Sequence, residues 1–282
     1  MPELPEVETV RRQLAPGLEG RRIVEVCVDK GPRYGALAEA IDHTILNVGR
    51  RGKYLLLDLG DRDLVIHLGM SGRLAIGSGK AVADRHVRAT FRLDDGRTLV
   101  FSDMRRFGTL GVLLHGTTPP WTTLRTMGPE PLSHAFTAEG LHAALGLSRR
   151  SLKASLLSQR PVAGLGNIYV DEALHRAGLH PATRHVSAAE ARRLHAAIVK
   201  ILSDAVAARG TTFQLYRDGH GGEGDYYREL RVYDRAGQPC RACGTTILKT
   251  TLEGRGTHWC PECQPEAGST GGPEGHLGVS LG

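Results

Sequence analysis

Four cysteines near the C-terminus constrain this chain more than any other feature. Cys240 and Cys243 form one C-x2-C pair, Cys260 and Cys263 form a second, and 16 residues separate the two pairs. Pairs at this spacing place four thiolates tetrahedrally around Zn²⁺, and a four-thiolate shell leaves no position for a substrate. We therefore predict one structural zinc ion. Two disulfides or an iron–sulfur site are the alternatives that the spacing leaves open.

The zinc would stabilise a segment that is too small for a hydrophobic core of its own, by about 10 kcal/mol in such modules. The fifth cysteine, Cys27, makes the count odd, and the chain shows no secretory signal. Both observations argue against a framework of disulfides. Because Cys27 lies on a predicted strand, we expect it to be a buried apolar residue.

Length and charge limit the partners. A chain of 282 residues is long enough for two domains, and no apolar run approaches the roughly 18 residues of a membrane span. The acidic N-terminal segment has no apolar core of a signal peptide, so we expect a cytoplasmic location and no membrane partner. The formal charge is +6, and all but six of the 36 basic residues are arginine. Arginine suits bidentate recognition of phosphate, although a GC-rich genome would also favour it.

The periodicity of the chain changes part-way along it. Apolar residues predict a helix over 5–14, and short strands between Ile23 and Leu114, some alternating and some continuously apolar, predict a β-sandwich or barrel. A proline-rich linker follows, and then helices over 137–145, 151–159, 167–177 and 187–208. We expect domains at 1–116, 136–228 and 229–263, a linker at 117–135 and a disordered glycine-rich tail at 264–282. The fold class is α+β.

The N-terminus is a possible nucleophile. Met1 followed by the small residue Pro2 is a usual substrate for methionine removal, which would expose a secondary amine. A neutral amine can attack an electrophilic carbon and form a Schiff base, and Glu3 could move protons beside it. Many chains begin in this way, so the signal is weak when it is taken alone.

A set of motifs that occur in one order along the chain supports a function for the N-terminal amine. They run from Pro2 to Cys263: MPELPEVETVRR (1–12), RRGKYLLLDL (50–59), HLGMSGRL (67–74), DMRRFG (103–108), GPEPL (128–132), VAGLGNIYVDEALHRAGLHP (162–181), ELRVYDRAGQPC (229–240) and RGTHWCPEC (255–263). In these motifs the chain resembles the formamidopyrimidine-DNA glycosylases, bacterial enzymes of base-excision repair. The resemblance implies an N-terminal two-layered β-sandwich with an N-terminal helix, a helix–two-turns–helix domain and a C-terminal β-hairpin zinc finger, with DNA between them.

The resemblance also implies roles for the residues that match. Pro2 would attack C1′ of the damaged nucleotide, Glu3 would donate and accept protons, and Glu6 would support them. Lys53 matches a lysine credited with a role in β-elimination, and Arg255 matches a finger arginine credited in δ-elimination and in binding phosphate. The implied activity is removal of 8-oxoguanine and formamidopyrimidines, followed by strand cleavage.

The resemblance to the glycosylase family also implies which residues contact DNA. Excision requires the damaged base to leave the duplex, and side chains must fill the space it vacates. Met70, Arg105 and Phe107 match the residues that fill it. Asn167 follows a glycine-rich turn whose backbone amides suit a phosphate. Further DNA-contacting positions are His67, His86 and Arg149, for which Arg150 is an adjacent alternative. The expected partner is double-stranded DNA with oxidised or abasic sites, bound by a monomer.

Two other functions stay open. An endonuclease VIII-like enzyme would act on oxidised pyrimidines, but the run from Leu4 to Glu8 favours the purine branch. A non-catalytic binder of damaged DNA would have no reason to keep Pro2, Glu3, Lys53 and Arg255 together. The loop 217–225, which matches a loop over the flipped base, departs from the family pattern, because Asp225 stands where an aromatic residue is usual. Asp234 likewise replaces a usual glycine. Lesion preference is what these departures put in doubt.

Overall fold

The computed structural model describes residues 2–29, 31, 33–77, 84–117, 119–211 and 224–266. The helices are α1 (Leu4–Leu18), α2 (Thr122–Arg125), α3 (Ala138–Gly146), α4 (Leu152–Leu157), α5 (Asn167–Ala177) and α6 (Ala188–Ala207). The strands are β1 (Ile23–Val28), β2 (Tyr34–Gly35), β3 (Asn47–Arg51), β4 (Tyr54–Asp58), β5 (Arg62–His67), β6 (Gly72–Gly77), β7 (Val87–Leu93), β8 (Thr98–Asp103), β9 (Thr109–Leu114), β10 (Leu248–Leu252) and β11 (Arg255–Trp259). Among these residues no helix has the length and apolarity to cross a membrane.

The N-terminal part is a sandwich of two sheets. One sheet has the order β1-β7-β8-β6 and the other β2-β9-β5-β4-β3. Alternate residues of each strand point into the space between the sheets, where Phe91, Phe101 and Leu64 are fully buried. Helix α1 adds Val7, Val10 and Leu14 to the same core. The predicted sandwich with an N-terminal helix is confirmed.

Two details of the sandwich differ from the expectation. Cys27 is exposed, not buried, because Val26 pairs with buried Phe91 and packs against the core, which leaves Cys27 on the outer face of β1. Arg88 alternates with the apolar residues Val87 and Ala89 in the sequence, which favours exposure, but it is buried and donates hydrogen bonds to the Asp103 carbonyl (2.9 Å) and to Asp29 (3.1 Å). A β-bulge between Val87 and Ala89 interrupts the alternation.

The helical part has a separate core, and its helices begin and end where the capping residues predict. Thr137 and Ser151 accept hydrogen bonds from the first turns of α3 and α4, and Ser187 forms a capping box with Glu190. Gly178 ends α5 with a φ of 67°. Tyr169 and Leu174 of α5 pack with Ile198 and Leu202 of α6. The residue boundaries of the predicted domains stay predictions.

Strands β10 and β11 pair in register as a hairpin that carries the cysteine pairs. Its core is small and consists of Val232, Cys240, Ile247 and Cys260. Gln264, the first residue of the predicted tail, is fully buried: its side chain accepts a hydrogen bond from the Cys260 amide and donates one to the Leu179 carbonyl (2.8 Å). The predicted disorder from residue 267 onward lies outside the described residues.

Candidate active site

The site forms where the N-terminus of α1 meets the N-terminus of α5. The carboxylate of Glu3, which is 1% exposed, accepts hydrogen bonds from the Gly166 amide (2.6 Å) and the Ile168 amide (2.9 Å). These amides belong to the unpaired first turn of a helix, where partial positive charge favours an anion. The segment around Glu3 is thereby fixed to the helical domain, with Pro2 buried beside it.

This close approach depends on glycines in the turn before α5. A β-carbon at Gly166 would lie 2.4 Å from the Glu3 carboxyl carbon. Gly164 has a φ of +85°, and a β-carbon there would lie 2.5 Å from Leu4. The glycine-rich turn that the sequence marks as a phosphate site therefore also receives the N-terminus of the chain.

Glu6 joins three distant segments. One carboxylate oxygen accepts the Tyr169 hydroxyl (2.6 Å) and the Thr211 amide (2.7 Å), and the other accepts the Glu3 amide (2.8 Å). All four residues are buried. This geometry agrees with the supporting role that the resemblance implies, because Glu6 holds the backbone of Glu3 in place.

Burial dominates the electrostatics of the site. It raises the pKa of Glu3 to about 7, although Lys53 and the two backbone amides oppose the shift. It also raises the pKa of Glu6 and lowers the pKa of Lys53. Groups with pKa values moved toward neutrality can give and take protons at physiological pH. The site thus contains a carboxylic acid and an amine suited to proton transfer.

Lys53 follows Gly52 in the turn between β3 and β4 and is only 7% exposed, so it is not a solvated surface lysine. Its charge interacts with Glu3 and with Arg255, the first residue of β11. Arg255 itself is exposed. The structure therefore brings the predicted catalytic residues from both ends of the chain to one place.

Two surface loops on the sandwich carry the predicted void-filling side chains. Met70 is 38% exposed and Phe107 is 43% exposed, and the Arg105 guanidinium lies 4.9 Å from the Phe107 ring centre. Fully buried Asp103 fixes the loop that carries Arg105 and Phe107, because it accepts hydrogen bonds from the Arg105 amide (3.1 Å) and the Gly108 amide (2.7 Å). Exposed apolar side chains on a rigid loop can enter a base stack without first having to be ordered.

The remaining predicted contacts are spread more widely. The His67 ring packs at a tilt of 45° against the Tyr54 ring, with 4.7 Å between the ring centres, and burial lowers the pKa of His67 to about 4. His86 lies in a small cleft near Ser71. Arg149 and Arg150 are both exposed in a cleft of about 620 Å³ beside α4, so the choice between them stays open. Of the predicted loop 217–225, residues 217–223 lie outside the described residues.

The four cysteines fit a zinc ion. All four sulfur atoms lie within 4.8 Å of one another, with 3.9 Å between Cys240 and Cys263 and 3.4 Å between Cys243 and Cys260. Tetrahedral zinc with Zn–S bonds of about 2.3 Å requires sulfur atoms about 3.8 Å apart. Zn²⁺ bound there holds the hairpin together.

Family models match three parts of the chain. They are the formamidopyrimidine-DNA glycosylase N-terminal domain (residues 1–110), the H2TH domain of the same family (127–217) and the zinc finger found in FPG and IleRS (237–265). The chain belongs to the formamidopyrimidine-DNA glycosylase family. It is a DNA glycosylase whose four C-terminal cysteines form a zinc site.

Relatives of this glycosylase span nearly its whole length. The formamidopyrimidine-DNA glycosylase of Symbiobacterium thermophilum is 50% identical over 94% of this chain and 90% of its own, and that of Deinococcus radiodurans is 43% identical over 94% and 98%. The crystal structure of the MutM (Fpg) protein of Thermus thermophilus matches with a TM-score of 0.88 and 45% identity, over 94% of this chain and all of its own. The Lactococcus lactis Fpg complex with Fapy-dG-containing DNA matches with a TM-score of 0.85 and 34% identity over the same shares.

The structure adds residues that the sequence analysis of this glycosylase missed. Lys153 of α4 is 1% exposed and donates hydrogen bonds to Asp171 of α5 (2.7 Å) and to the Gly256 carbonyl (2.8 Å). Asn167 donates to the same carbonyl (2.9 Å). These contacts position the residue next to Arg255. The four-residue spacing of Asn167 and Asp171 predicts that both side chains lie on one face of α5, and sequence analysis could have used it. Nothing in the sequence around Lys153 distinguishes it from a surface lysine.

Glu172 is the other residue that was missed. It is buried, and its carboxylate accepts hydrogen bonds from three successive amides, those of Arg231 (2.9 Å), Val232 (2.9 Å) and Tyr233 (2.8 Å). It thus anchors the chain where the segment after loop 217–225 enters the finger.

We predict that Lys153→Met destabilises the glycosylase by about 3–5 kcal/mol, because it leaves the Asp171 carboxylate buried without its cation. Urea denaturation followed by circular dichroism measures this change. Lys200→Met is the matched control: Lys200 pairs with Asp204 on the exposed surface of α6, where such a pair contributes at most about 1 kcal/mol. If K153M is no less stable than K200M, the buried pair does not stabilise the fold. The double variant K153M/D171N should recover part of the loss.

Proposed function

We propose that this glycosylase removes oxidised purines from duplex DNA through a Schiff base on Pro2 and then cleaves the strand by β- and δ-elimination. The observation that supports this best is the pair formed by Pro2 and the buried carboxyl of Glu3, whose pKa is raised to about 7. A nucleophilic amine and a group that both donates and accepts protons at neutral pH are what this chemistry needs.

The reaction begins once Met1 has been removed and the Pro2 nitrogen is a secondary amine. Its lone pair attacks C1′ of the damaged nucleotide, the glycosidic C1′–N bond breaks and the base leaves with a proton. Glu3 supplies a proton to the sugar as its ring opens, and an iminium ion forms between Pro2 and C1′. The negative charge of ionised Glu3 then favours this cation.

Strand cleavage follows from the iminium ion. Removal of a proton from C2′ breaks the C3′–O bond, and a further proton loss breaks the C5′–O bond, so that both phosphates leave. The nearby cations of Lys53 and Arg255 would stabilise the negative charge that develops on these oxygens. In this proposal Lys53 acts in β-elimination, and Arg255 acts in δ-elimination and holds the phosphate at the lesion.

The partner we propose is double-stranded DNA that contains an oxidised base or an abasic site. The Lactococcus lactis relatives form complexes with DNA of both kinds. Here the exposed Met70, Arg105 and Phe107 would occupy the space left by the flipped nucleotide, and Asn167, His67 and His86 would contact the strands, with Arg149 or Arg150. Action as a monomer in the bacterial cytoplasm, at the nucleoid, is also a prediction.

Borohydride trapping tests the Schiff base. Borohydride reduces an iminium ion to a stable amine, so the enzyme should become covalently linked to a duplex containing 8-oxoguanine. Peptide mapping should then place the nucleotide adduct on Pro2, and intact mass should show loss of Met1. The matched control carries an uncleaved extension before Met1, which keeps the Pro2 nitrogen as an amide without a nucleophilic lone pair. Adduct on Lys53, or trapping by the extended chain, would contradict the assignment of Pro2.

Lesion preference is tested separately, on duplexes containing 8-oxoguanine, formamidopyrimidine or thymine glycol. We expect faster excision of the two purine lesions. Faster excision of thymine glycol would indicate an endonuclease VIII-like specificity. Tight binding of abasic DNA without cleavage would indicate a binder that is not an enzyme.

A further inference from the structure

Helix α5 faces the zinc finger with side chains spaced four residues apart. Asn167 donates to the Gly256 carbonyl, and Asp171 accepts the His258 amide (2.9 Å). His175 is next in this series, and its Nε2 atom lies 3.4 Å from the Sγ atom of Cys240. Residues four apart share one face of a helix, so these three contacts join one rigid element to the finger.

The surroundings of His175 determine which nitrogen carries the proton. The side chain is buried, at 5% exposure, and its Nδ1 atom has no hydrogen-bond partner among the described residues. A proton on Nδ1 would be a buried donor without an acceptor, and it would leave the lone pair of Nε2 facing the thiolate. A proton on Nε2 instead points at a strong negative acceptor. The contact is therefore an N–H donated to sulfur.

We propose that His175 is a positioning residue for the zinc site: its Nε2–H donates a hydrogen bond to the Cys240 thiolate and thereby slows the loss of zinc. Zinc leaves when a thiolate is protonated or is captured by a competing group, and both require electron density on sulfur. The hydrogen bond draws that density away and also fixes the direction of the sulfur. Groups that orient ligands in this way typically change metal affinity about 10- to 100-fold.

The contact has a structural consequence within the chain. The N-terminal amides of α5 bind Glu3, and the side chain of His175 on the same helix contacts Cys240. One helix of 11 residues thus contacts both the proposed catalytic carboxyl and a zinc ligand. Zinc retention in the finger should therefore depend on a residue that lies outside the finger.

The test compares the zinc-loaded full-length chain with H175F and H175Q. Excess EDTA is added, and protein-bound zinc is measured by mass spectrometry after rapid desalting at successive times. H175F keeps an apolar ring of similar size without a donor, and we expect it to release zinc about 10- to 100-fold faster. H175Q keeps an N–H donor at a similar reach and should be slower than H175F. The control H180F changes a second buried histidine, whose ring lies 4.4 Å from that of Trp259 and which contacts no sulfur atom within the described part of the chain. It should release zinc at the wild-type rate.

A spectroscopic readout separates hydrogen bonding from packing. With Co²⁺ in place of Zn²⁺, the sulfur-to-cobalt charge-transfer band should move to longer wavelength in H175F and return toward the wild-type position in H175Q, because an N–H donor lowers the energy of the sulfur lone pairs. Wild-type release kinetics and an unmoved band in H175F would overturn the proposal. Equal acceleration in H175F, H175Q and H180F would also overturn it, since packing alone would then explain the loss.

Discussion

Glu3→Gln is expected to lower the single-turnover rate of base excision by about 10²- to 10⁴-fold, the usual contribution of a positioned acid or base. Glutamine has nearly the shape of glutamate and keeps one of the two oxygens that accept hydrogen bonds from α5, but it can neither give nor take the proton at the sugar. Denaturing gel electrophoresis of an 8-oxoguanine duplex under enzyme excess measures the rate. Excision by E3Q at the wild-type rate would exclude Glu3 as the acid or base.

The same variant should change how stability depends on pH. The pKa of Glu3 is raised from its ordinary value near 4.5 to about 7 by burial. Between these values the folded chain keeps a proton that the unfolded chain releases, so folding loses stability as the pH rises from about 4.5 to 7. Glutamine cannot lose this proton. The melting temperature of E3Q relative to wild type should therefore increase from pH 5 to pH 8, which corresponds to on the order of 1–3 kcal/mol.

The control for this prediction is Glu139→Gln, which changes an exposed residue in the first turn of α3. This variant makes the same chemical change at an exposed side chain, so its melting temperature at pH 5 and pH 8 is the reference for the response of E3Q. A parallel response of E3Q and E139Q to pH would mean that the fold does not penalise ionised Glu3. That outcome would leave the excision measurement as the sole test of the role of Glu3.

Loss of zinc is expected to unfold the finger and to abolish strand cleavage while the rest of the protein stays folded. Cys260→Ser removes one ligand from a hairpin whose core holds only a few apolar side chains, whereas the sandwich and the helical domain have large cores of their own. Structural zinc contributes about 10 kcal/mol to modules of this type, which is more than such a core can replace. Arg255 lies on the second strand of this hairpin and would lose its position.

Hydrogen–deuterium exchange with peptide resolution checks this result, together with the zinc content and the cleavage rate. Peptides within 237–264 should lose protection in C260S, and peptides of α1 and of β4 to β9 should keep it. Cys27→Ser is the matched control, because Cys27 is exposed on an edge strand far along the chain from the zinc ligands. The prediction fails if C260S keeps one zinc ion per chain, or if protection is lost uniformly.

Local rules predicted much of the fold. Capping by Thr137 and Ser187 and the stop at Gly178 depend on neighbours a few residues away, so the sequence displays them directly. Cys27 and Arg88 were misjudged because their burial depends on how β1 pairs with β7 and on a bulge in β7. Periodicity contains neither kind of information.

The residues of the site also divide into those that the sequence revealed and those that only the structure revealed. Motif order identified Pro2, Glu3 and the cysteines, since these residues are recognisable as chemical groups at fixed spacing. Sequence analysis missed Lys153 and Glu172, because their importance comes from partners about 20 to 100 residues away along the chain. A lysine inside a short helix has no local mark of burial. Long-range pairing of charges is therefore what the structure contributed.

The contacts of Glu6 have a consequence for biosynthesis. Its carboxylate bonds to residues 163 and 205 positions further along the chain. The sandwich encloses its own core and can fold while translation continues, but Glu6 has no partners from the helical domain until Tyr169 and then Thr211 have emerged from the ribosome. The buried centre around Glu3 and Glu6 is therefore assembled only after Thr211 has been made, and the proposed proton transfer cannot begin before then.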